Sequence, residues 1–204
     1  SHSLSKTSSR DVSPRVKTDV ALADVFKLES LEERIILSRD SIAEATPVDF
    51  VESPADTGYA VSRVDESIEA TSDVDYWSFE ALAGDSLSLS VDTPDSDLDP
   101  RIELRNSADG VIASDNNGGP DRDDLISHFD VESSGTYFAR VFGQSGTGDY
   151  KLRIDRARDI QLERDREYAN DSIAAAEDLE KGPSAGGTSG SVVGNIMAAQ
   201  GSLR

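Results

Sequence analysis

The sequence predicts an all-β protein: an antiparallel, about eight-stranded, jelly-roll-like β-sandwich, flanked by a disordered and helical N-terminal arm and by a truncated second repeat. Two observations support this class. Short runs of alternating apolar and polar residues follow one another from residue 59 to residue 154, and Gly, Asp and Asn clusters separate them without a helical period. Nearly all the aromatic residues, including the single Trp77, lie between Phe50 and Tyr150, so the predicted core lies there.

Each strand is predicted from a period of two, which places alternate side chains on opposite faces. In the second run, Trp77, Phe79 and Ala81 share one face and are predicted to point inward. In the next run, SLSLSV, the three apolar residues do the same opposite three serines. The predicted strands are, in order, a segment near 59–68, then DYWSFEAL, SLSLSV, RIELR, GVIAS, DLISHF, GTYFARVFG and DYKLRI.

The two ends of the chain depart from this pattern. Residues 1–38 are predicted to be a disordered arm, rich in Ser, Thr and charge, that ends in an amphipathic helix from Asp24 to Ser38. Residues 39–156 form the predicted sandwich, and residues 157–204 form a linker and the start of a second copy.

The second copy is inferred from two short matches in the same order. Asp40-Ser41-Ile42-Ala43 recurs as Asp171-Ser172-Ile173-Ala174, and Ile68-x-Ala70 recurs as Ile196-x-Ala198. The offsets between the two pairs are nearly equal, which is typical of a tandem repeat. The sequence therefore predicts a repeat whose second copy is cut off.

Composition excludes several classes of function. A formal net charge of −20 disfavours nucleic acid and anionic membranes as partners. The absence of cysteine excludes disulfides, thiolate metal sites and thiol catalysis. No apolar run approaches the roughly 20 residues that a membrane-spanning helix needs.

The chain contains few residues that could catalyse hydrolysis. The only histidines are His2 and His128, which rules out an HExxH zinc site. The segment from Gly143 to Thr147 lacks the glycine spacing of a nucleophile elbow. The sequence therefore predicts no catalytic residue and no residue that binds an organic cofactor.

Several short motifs follow one another in a fixed order from about residue 67 to residue 154. They are an Asp-x-Asp-aromatic strand (Asp73 to Trp77), an Ala-Gly-Asp turn (Ala83 to Asp85), Asp97-Leu98-Asp99 before Ile102 and Leu104, a Gly then Ile-Ala before an acidic loop, and Ser-Gly-Thr-Tyr with a closing Tyr-x-Leu. This order resembles the bacterial pre-peptidase C-terminal (PPC) domain. The resemblance implies a β-sandwich appendage of a secreted peptidase or another large exported protein, and therefore an extracellular or cell-surface location.

A second resemblance lies upstream. Phe26 to Ser38 reads FKLESLEERIILS, which is similar to the LEPR-type motif, Leu-Glu-x-Arg-x-Leu-Leu-Ser, near the N-termini of many planctomycete extracellular proteins. The sequence departs from the motif at Ile36, where Leu is usual. The same residues also fit a docking helix, and the two interpretations are compatible.

Calcium is the candidate cofactor, because carboxylate, amide and carbonyl oxygens are the ligands it prefers. The loop from Asp115 to Asp124 concentrates such oxygens but lacks the spacing and terminal Glu of an EF-hand. The resemblance implies a second place, at Asp73 and Asp75 beside the linker that precedes the sandwich, because related collagen-binding modules carry calcium there. In this linker, Arg39 stands where the second copy has Asn170. The alternative is that both places are solvated turns, in which Asp and Asn are favoured. The metal candidates are Asp73, Asp75, Asp115, Asn117, Asp121 and Asp123.

Three aromatic residues suggest a ligand face. Tyr76, Tyr137 and Phe138 cannot all point inward if Trp77 and Phe79 do. One or two of these rings are therefore expected on a sheet surface, as in modules that hold collagen or polysaccharide. The alternative is that they pack under a loop or against a neighbouring repeat.

Together these features predict a non-catalytic accessory or spacer module of a larger secreted or cell-surface bacterial protein, with calcium as a candidate stabilising ion. Its predicted partners are neighbouring domains of the same polypeptide. Two alternatives stay open: a module that binds an extracellular polymer, collagen or polysaccharide, and the C-terminal appendage of a secreted peptidase whose catalytic domain lies outside this chain.

Overall fold

The computed structural model describes residues 39–120, 123–164, 172–174, 176, 178–179, 182–184 and 187–194. The predicted arm, helix and LEPR-like motif at residues 1–38 lie outside this part of the chain. No α-helix occurs in the described residues, and none of their elements could therefore cross a membrane as a helix. The strands are β1 (Thr46–Pro47), β2 (Val51–Glu52), β3 (Tyr59–Ile68), β4 (Val74–Ala81), β5 (Ser86–Asp92), β6 (Asp99–Arg105), β7 (Val111–Asp115), β8 (Asp124–Asp130), β9 (Gly135–Ser145), β10 (Gly148–Ala157), β11 (Gln161–Leu162), β12 (Gly182–Ser184), β13 (Gly187–Ser189) and β14 (Val192–Val193).

Two five-stranded sheets form a β-sandwich. One sheet has the order β1-β4-β9-β6-β7 and the other has the order β2-β3-β10-β5-β8. Strands β3 to β10, which correspond to the predicted strands, follow the connectivity of a jelly roll. The predicted fold class is therefore confirmed. The two-residue strands β1 and β2 are additions at the sheet edges, and they are too short to show a period of two in the sequence.

The core lies between the two sheets and follows the alternation of the sequence. Trp77, Phe79 and Ala81 of β4 are at most 4% exposed, as the period of two predicts. Leu89 of β5 lies in the opposite sheet and is fully buried in the same cluster. Burial of a side chain of the size of Phe79 or Leu89 contributes about 1.5 to 3 kcal/mol.

The chain enters the sandwich at one end of β10 and leaves it at the other. At the entry end, Arg39 lies 2.8 Å from the Oε2 of Glu66, a residue that pairs with Tyr150 near the start of β10. At the exit end, Arg158 follows β10 directly and donates to both carboxylate oxygens of Asp85, at 2.7 and 2.8 Å. Tyr150 and Arg158 are separated by a length of strand of roughly 25 Å.

Asp85 closes the Ala-Gly-Asp turn that the sequence indicates. Its Oδ2 also accepts the backbone N–H of Leu82, at 2.8 Å. Burial acts to raise the pKa of Asp85, but the hydrogen bonds from Arg158 and from Leu82 outweigh it and hold the pKa below its usual value. The exit end is therefore held by a carboxylate that stays ionised at neutral pH.

Four short strands follow the sandwich. β11 pairs with β14 in parallel, and β12 pairs with β13 in the antiparallel sense. The predicted linker and second copy are described only in part, and Asp171, Ile196 and Ala198 of the repeated matches lie outside the described residues. The tandem repeat therefore stays a prediction.

Candidate functional site

The first predicted metal place, at Asp73 and Asp75, lies where β4 begins. Asp73 Oδ2 accepts the backbone N–H of Glu69 at 2.7 Å. Asp75 is 3% exposed, and its Oδ1 lies 3.0 Å from the Nε of Arg39. Its Oδ2 accepts the hydroxyl proton of Tyr150 at 2.7 Å. The two aspartates thus stabilise separate parts of the entry end.

Arg39 joins these groups into one cluster. Its guanidinium carbon lies 4.4 Å from the centroid of the Trp77 ring, a cation–π arrangement. The Trp77 Nε1–H donates to the hydroxyl oxygen of Tyr150 at 3.0 Å. We call Arg39, Glu66, Asp75, Trp77 and Tyr150 the entry cluster. Of these residues, the sequence indicated only Asp75 as a metal ligand, because Arg39 and Tyr150 lie far from it along the chain and Trp77 was predicted as a core residue.

The entry cluster does not fit a calcium ion. Burial raises the pKa of Asp75, while the hydrogen bond from Tyr150 and the charge of Arg39 act in the opposite direction. The guanidinium of Arg39 already pairs with the carboxylates of Asp75 and Glu66, and so supplies the positive charge that a metal ion would otherwise bring to them. In the sequence, Arg39 stands where the second copy has Asn170. In the structure, this arginine pairs with the carboxylates that would otherwise be available to an ion.

The second predicted metal place is the loop between β7 and β8. Asp121 lies outside the described residues. Asp123 is 3% exposed, and its Oδ1 accepts both the backbone N–H and the hydroxyl of Thr93, at 2.9 and 3.1 Å. Asn117 has a positive φ of 83°, and its backbone N–H, rather than its side chain, is used within the loop. Asp123 therefore fastens the loop to Thr93.

Asp115 organises the same loop from its other end. Its Oδ2 accepts the backbone N–H groups of Gly118 and Leu125, at 2.7 and 2.9 Å. A Cβ atom at Gly118 would lie 2.7 Å from the Asp115 Oδ1, so any larger residue there would force this carboxylate to shift. Among the described residues, no three His, Asp or Glu side chains are grouped as metal ligands.

Asp124, which the sequence analysis did not select, is the most unusual carboxylate of the loop. It is completely buried, and its Oδ1 accepts the backbone N–H of Asn117 at 2.8 Å. Its Oδ2 has no hydrogen-bond partner. Burial raises the pKa of Asp124 to about 8; the charges of Asp115 and Asp99 add to this shift, and the backbone N–H groups of Asn117 and Ile102 oppose it.

The structure corrects the expected aromatic ligand face. Tyr76, Tyr137 and Phe138 are 5%, 8% and 8% exposed, so none of the three rings forms an open platform. Tyr137 lies opposite Phe79 in the β4–β9 ladder and points into the core, where the two rings are stacked with centroids 6.3 Å apart. The residue therefore belongs to the hydrophobic core.

Arginine side chains explain the burial of the outward ring of Tyr76. Tyr76 and Arg140 are paired across β4 and β9, and the guanidinium carbon of Arg140 lies 5.8 Å from the ring centroid of Tyr76. Arg105 approaches the same ring to 6.0 Å. Glu103 holds both arginines, accepting hydrogen bonds of 2.6 Å from Arg105 and 3.0 Å from Arg140. Long arginine stems cover apolar surface while their charged groups stay hydrated, and alternation in one strand does not reveal this.

His128 takes part in structural contacts. Its Nδ1 lies 3.1 Å from the carbonyl oxygen of Leu162, and its Nε2 lies 2.9 Å from the Oδ1 of Asp130. The residue has a positive φ of 57° and lies where the β5–β8 ladder shifts register. Its Nδ1 therefore holds the segment after β10 against the β8 bulge, while its Nε2 contacts a residue of the same strand.

Comparisons with known proteins agree with the motifs. Residues 73–143 match the family model described as the bacterial pre-peptidase C-terminal domain. These residues comprise β4 to β8 and most of β9. No curated protein sequence matches the chain.

Three solved structures align with part of the chain at low identity. The pre-peptidase C-terminal domain of a collagenase from Bacillus anthracis has 18% identity and a TM-score of 0.39, over 45% of this chain and 86% of that chain. A periplasmic inhibitor of g-type lysozyme from Aeromonas hydrophila has 12% identity and a TM-score of 0.39, over 55% and 95%. The corresponding inhibitor from Salmonella Typhimurium has 16% identity and a TM-score of 0.37, over 55% and 97%. The PPC resemblance of the sequence is confirmed by the family model over residues 73–143.

Proposed function

We propose that this chain is a non-catalytic accessory module that spaces or anchors neighbouring domains of a larger secreted or cell-surface protein. The observation that carries the proposal is the path of the chain, which enters beside the start of β10 and leaves beyond its end. A module of this kind extends the polypeptide by the length of the sandwich. If entry and exit were adjacent, the same fold would add a side branch instead.

Both ends of this path are held by an arginine. Arg39 pairs with Glu66 and Asp75 at the entry end, and Arg158 pairs with Asp85 at the exit end. Asp75 and Asp85 are buried, and ion pairs with buried carboxylates are costly to break. The chain is therefore held to the sandwich at Arg39 and at Arg158.

The described polar groups favour a structural role over catalysis or polymer binding. His128 is held by Leu162 and Asp130, and Asp75 is held by Arg39 and Tyr150. The aromatic rings expected to form a polymer-binding face are buried. The match to a pre-peptidase C-terminal domain supports attachment to other domains, and an appendage of a secreted peptidase is one form of the proposed module.

A distance measurement tests the proposed path. The chain has no cysteine, so the double variant Asp40→Cys/Arg164→Cys can carry two spin labels without background labelling. Both positions are exposed, one at each end. Pulsed electron–electron double resonance is expected to give one narrow distance distribution, centred at roughly 25 to 35 Å because the labels are separated by the length of β10.

The pair Asp40→Cys/Asp149→Cys is the matched control, because Asp149 lies at the start of β10 on the entry side. Its labels are expected to be separated by less than about 20 Å. Equal short distances in both pairs, or a broad distribution for the first pair, would reject an end-to-end spacer.

A further inference from the structure

Two acidic side chains point into the sandwich from the edge strands of opposite sheets. Asp115, in β7, lies opposite Ile102 of β6, and Asp124, in β8, lies opposite Val91 of β5. Directly paired residues share a face of the sheet, and Ile102 and Val91 are completely buried core residues. The two carboxylates therefore lie on the inner faces, at the edge where β7 and β8 end their sheets.

Among the described residues, the charged side chains that act on Asp124 do not neutralise its negative charge. Asp124 is fully buried with Oδ2 unpartnered, and Asp99, at the start of β6, also has a buried oxygen without a hydrogen bond, its Oδ1. The neighbouring charges that act on Asp124 are those of Asp115 and Asp99, which have the same sign. Burying carboxylates together in this way is unfavourable unless a cation or a proton joins them.

The loop is built to hold the carboxylate of Asp115 in a fixed position. Backbone N–H groups of Gly118 and Leu125 bind only its Oδ2. A groove of about 420 Å³ along the β7 and β8 edges is lined in part by Asp115, Gly118 and Leu125, so solvent reaches the Asp115 side of the site. The carboxylates of Asp115 and Asp124 offer oxygen ligands alone, which suits hard cations.

We propose that a hard divalent cation, Ca²⁺ or Mg²⁺, binds between Asp115 and Asp124 and ties the free edges of the two sheets together, with Asp99 adding negative charge. Two carboxylates account for part of the coordination, and water or backbone carbonyls complete it. The inference differs from the loop site expected from the sequence, since Asp123 is engaged with Thr93 and Asp124 takes its place. It does not depend on the spacer function.

Calorimetric titration of the full chain with CaCl₂ and with MgCl₂, after EDTA treatment and at physiological ionic strength, tests this site. Asp124→Asn keeps the shape of the side chain and removes its charge. The variant is expected to bind one divalent ion fewer than the parent chain, and the metal-induced rise of its melting temperature is expected to shrink or vanish. Asp49→Asn, at an exposed position, makes the same change in net charge and is expected to leave both quantities unchanged.

Two outcomes overturn the proposal. One is identical ion binding by the parent chain and Asp124→Asn. The other is an Asp124→Asn variant that melts higher than the parent chain when neither responds to metal, which would identify Asp124 as a neutral buried acid. If Asp124→Asn does not fold, Asp99→Asn serves in its place: it is expected to lower the affinity for the ion, and unchanged affinity contradicts the site.

Discussion

Replacing Leu104 by alanine is expected to lower the free energy of unfolding by about 2 to 5 kcal/mol. Leu104 is completely buried in β6, the second strand from the edge of its sheet. Its cross-strand partners are Ala139 in β9 and Ala113 in β7. Since both partners are small, they cannot fill the space that the leucine leaves, and the loss is expected in the upper half of that range. Urea denaturation followed by the fluorescence of the single tryptophan measures it.

Leu82→Ala is the matched control for this prediction. Leu82 is 48% exposed, in the turn after β4. The same change there is expected to alter the free energy of unfolding by less than about 0.5 kcal/mol. Similar losses for the two variants would mean that the packed interface between the sheets does not determine stability.

Replacing Tyr150 by phenylalanine is expected to lower the free energy of unfolding by about 2 to 3 kcal/mol, although the ring stays in place. The hydroxyl donates to Asp75 and accepts from Trp77, and all three residues are at most 5% exposed. Its removal leaves a buried acceptor and a buried donor without this partner, at about 1 to 3 kcal/mol for each group. Thermal or urea denaturation at neutral pH gives the value.

Tyr137→Phe provides the comparison. The hydroxyl of Tyr137 makes one hydrogen bond, to the backbone carbonyl of Ser133 at 2.6 Å, in a partly buried position. Its removal is expected to lower the free energy of unfolding by about 1 kcal/mol. A Tyr150→Phe variant as stable as Tyr137→Phe would contradict the role assigned to the entry cluster.

The strands could be predicted because the information for them is local. In β4 and β5, burial follows the alternation of the sequence except at Tyr76 and Ser90, and Trp77, Leu87 and Leu89 lie inside as expected. Hydrogen bonding within the Ala-Gly-Asp turn also depends on neighbours in sequence, as between Asp85 and Leu82. A period of two and turn chemistry suffice for such elements.

The entry cluster could not be predicted in this way, since its contacts are not local. Arg39 contacts Asp75 across 36 positions of sequence, and Tyr150 contacts Asp75 across 75. Neither contact leaves a pattern in a single strand. The composition of the loop between β7 and β8 indicated residues with oxygen ligands, but it did not indicate which of their side chains point inward.

Asp124 is different, because the sequence does contain a signal for it. Ile126 is an inward-facing residue of β8, and a residue two positions earlier lies on the same face. Counting back from Ile126 therefore places Asp124 inside, and counting forward from Ala113 places Asp115 inside. Treating the acidic segment as loop concealed this alternation.

Mechanical unfolding of single molecules tests most directly whether the sandwich acts as one folded unit between neighbouring domains. The chain is pulled through its two ends between reporter domains of known unfolding length. Residues 39–158 are expected to unfold in one step that lengthens the chain by about 40 nm, given roughly 3.6 Å for each extended residue. Two shorter steps, or gradual extension without a step, would contradict a single module held at both ends by Arg39 and Arg158.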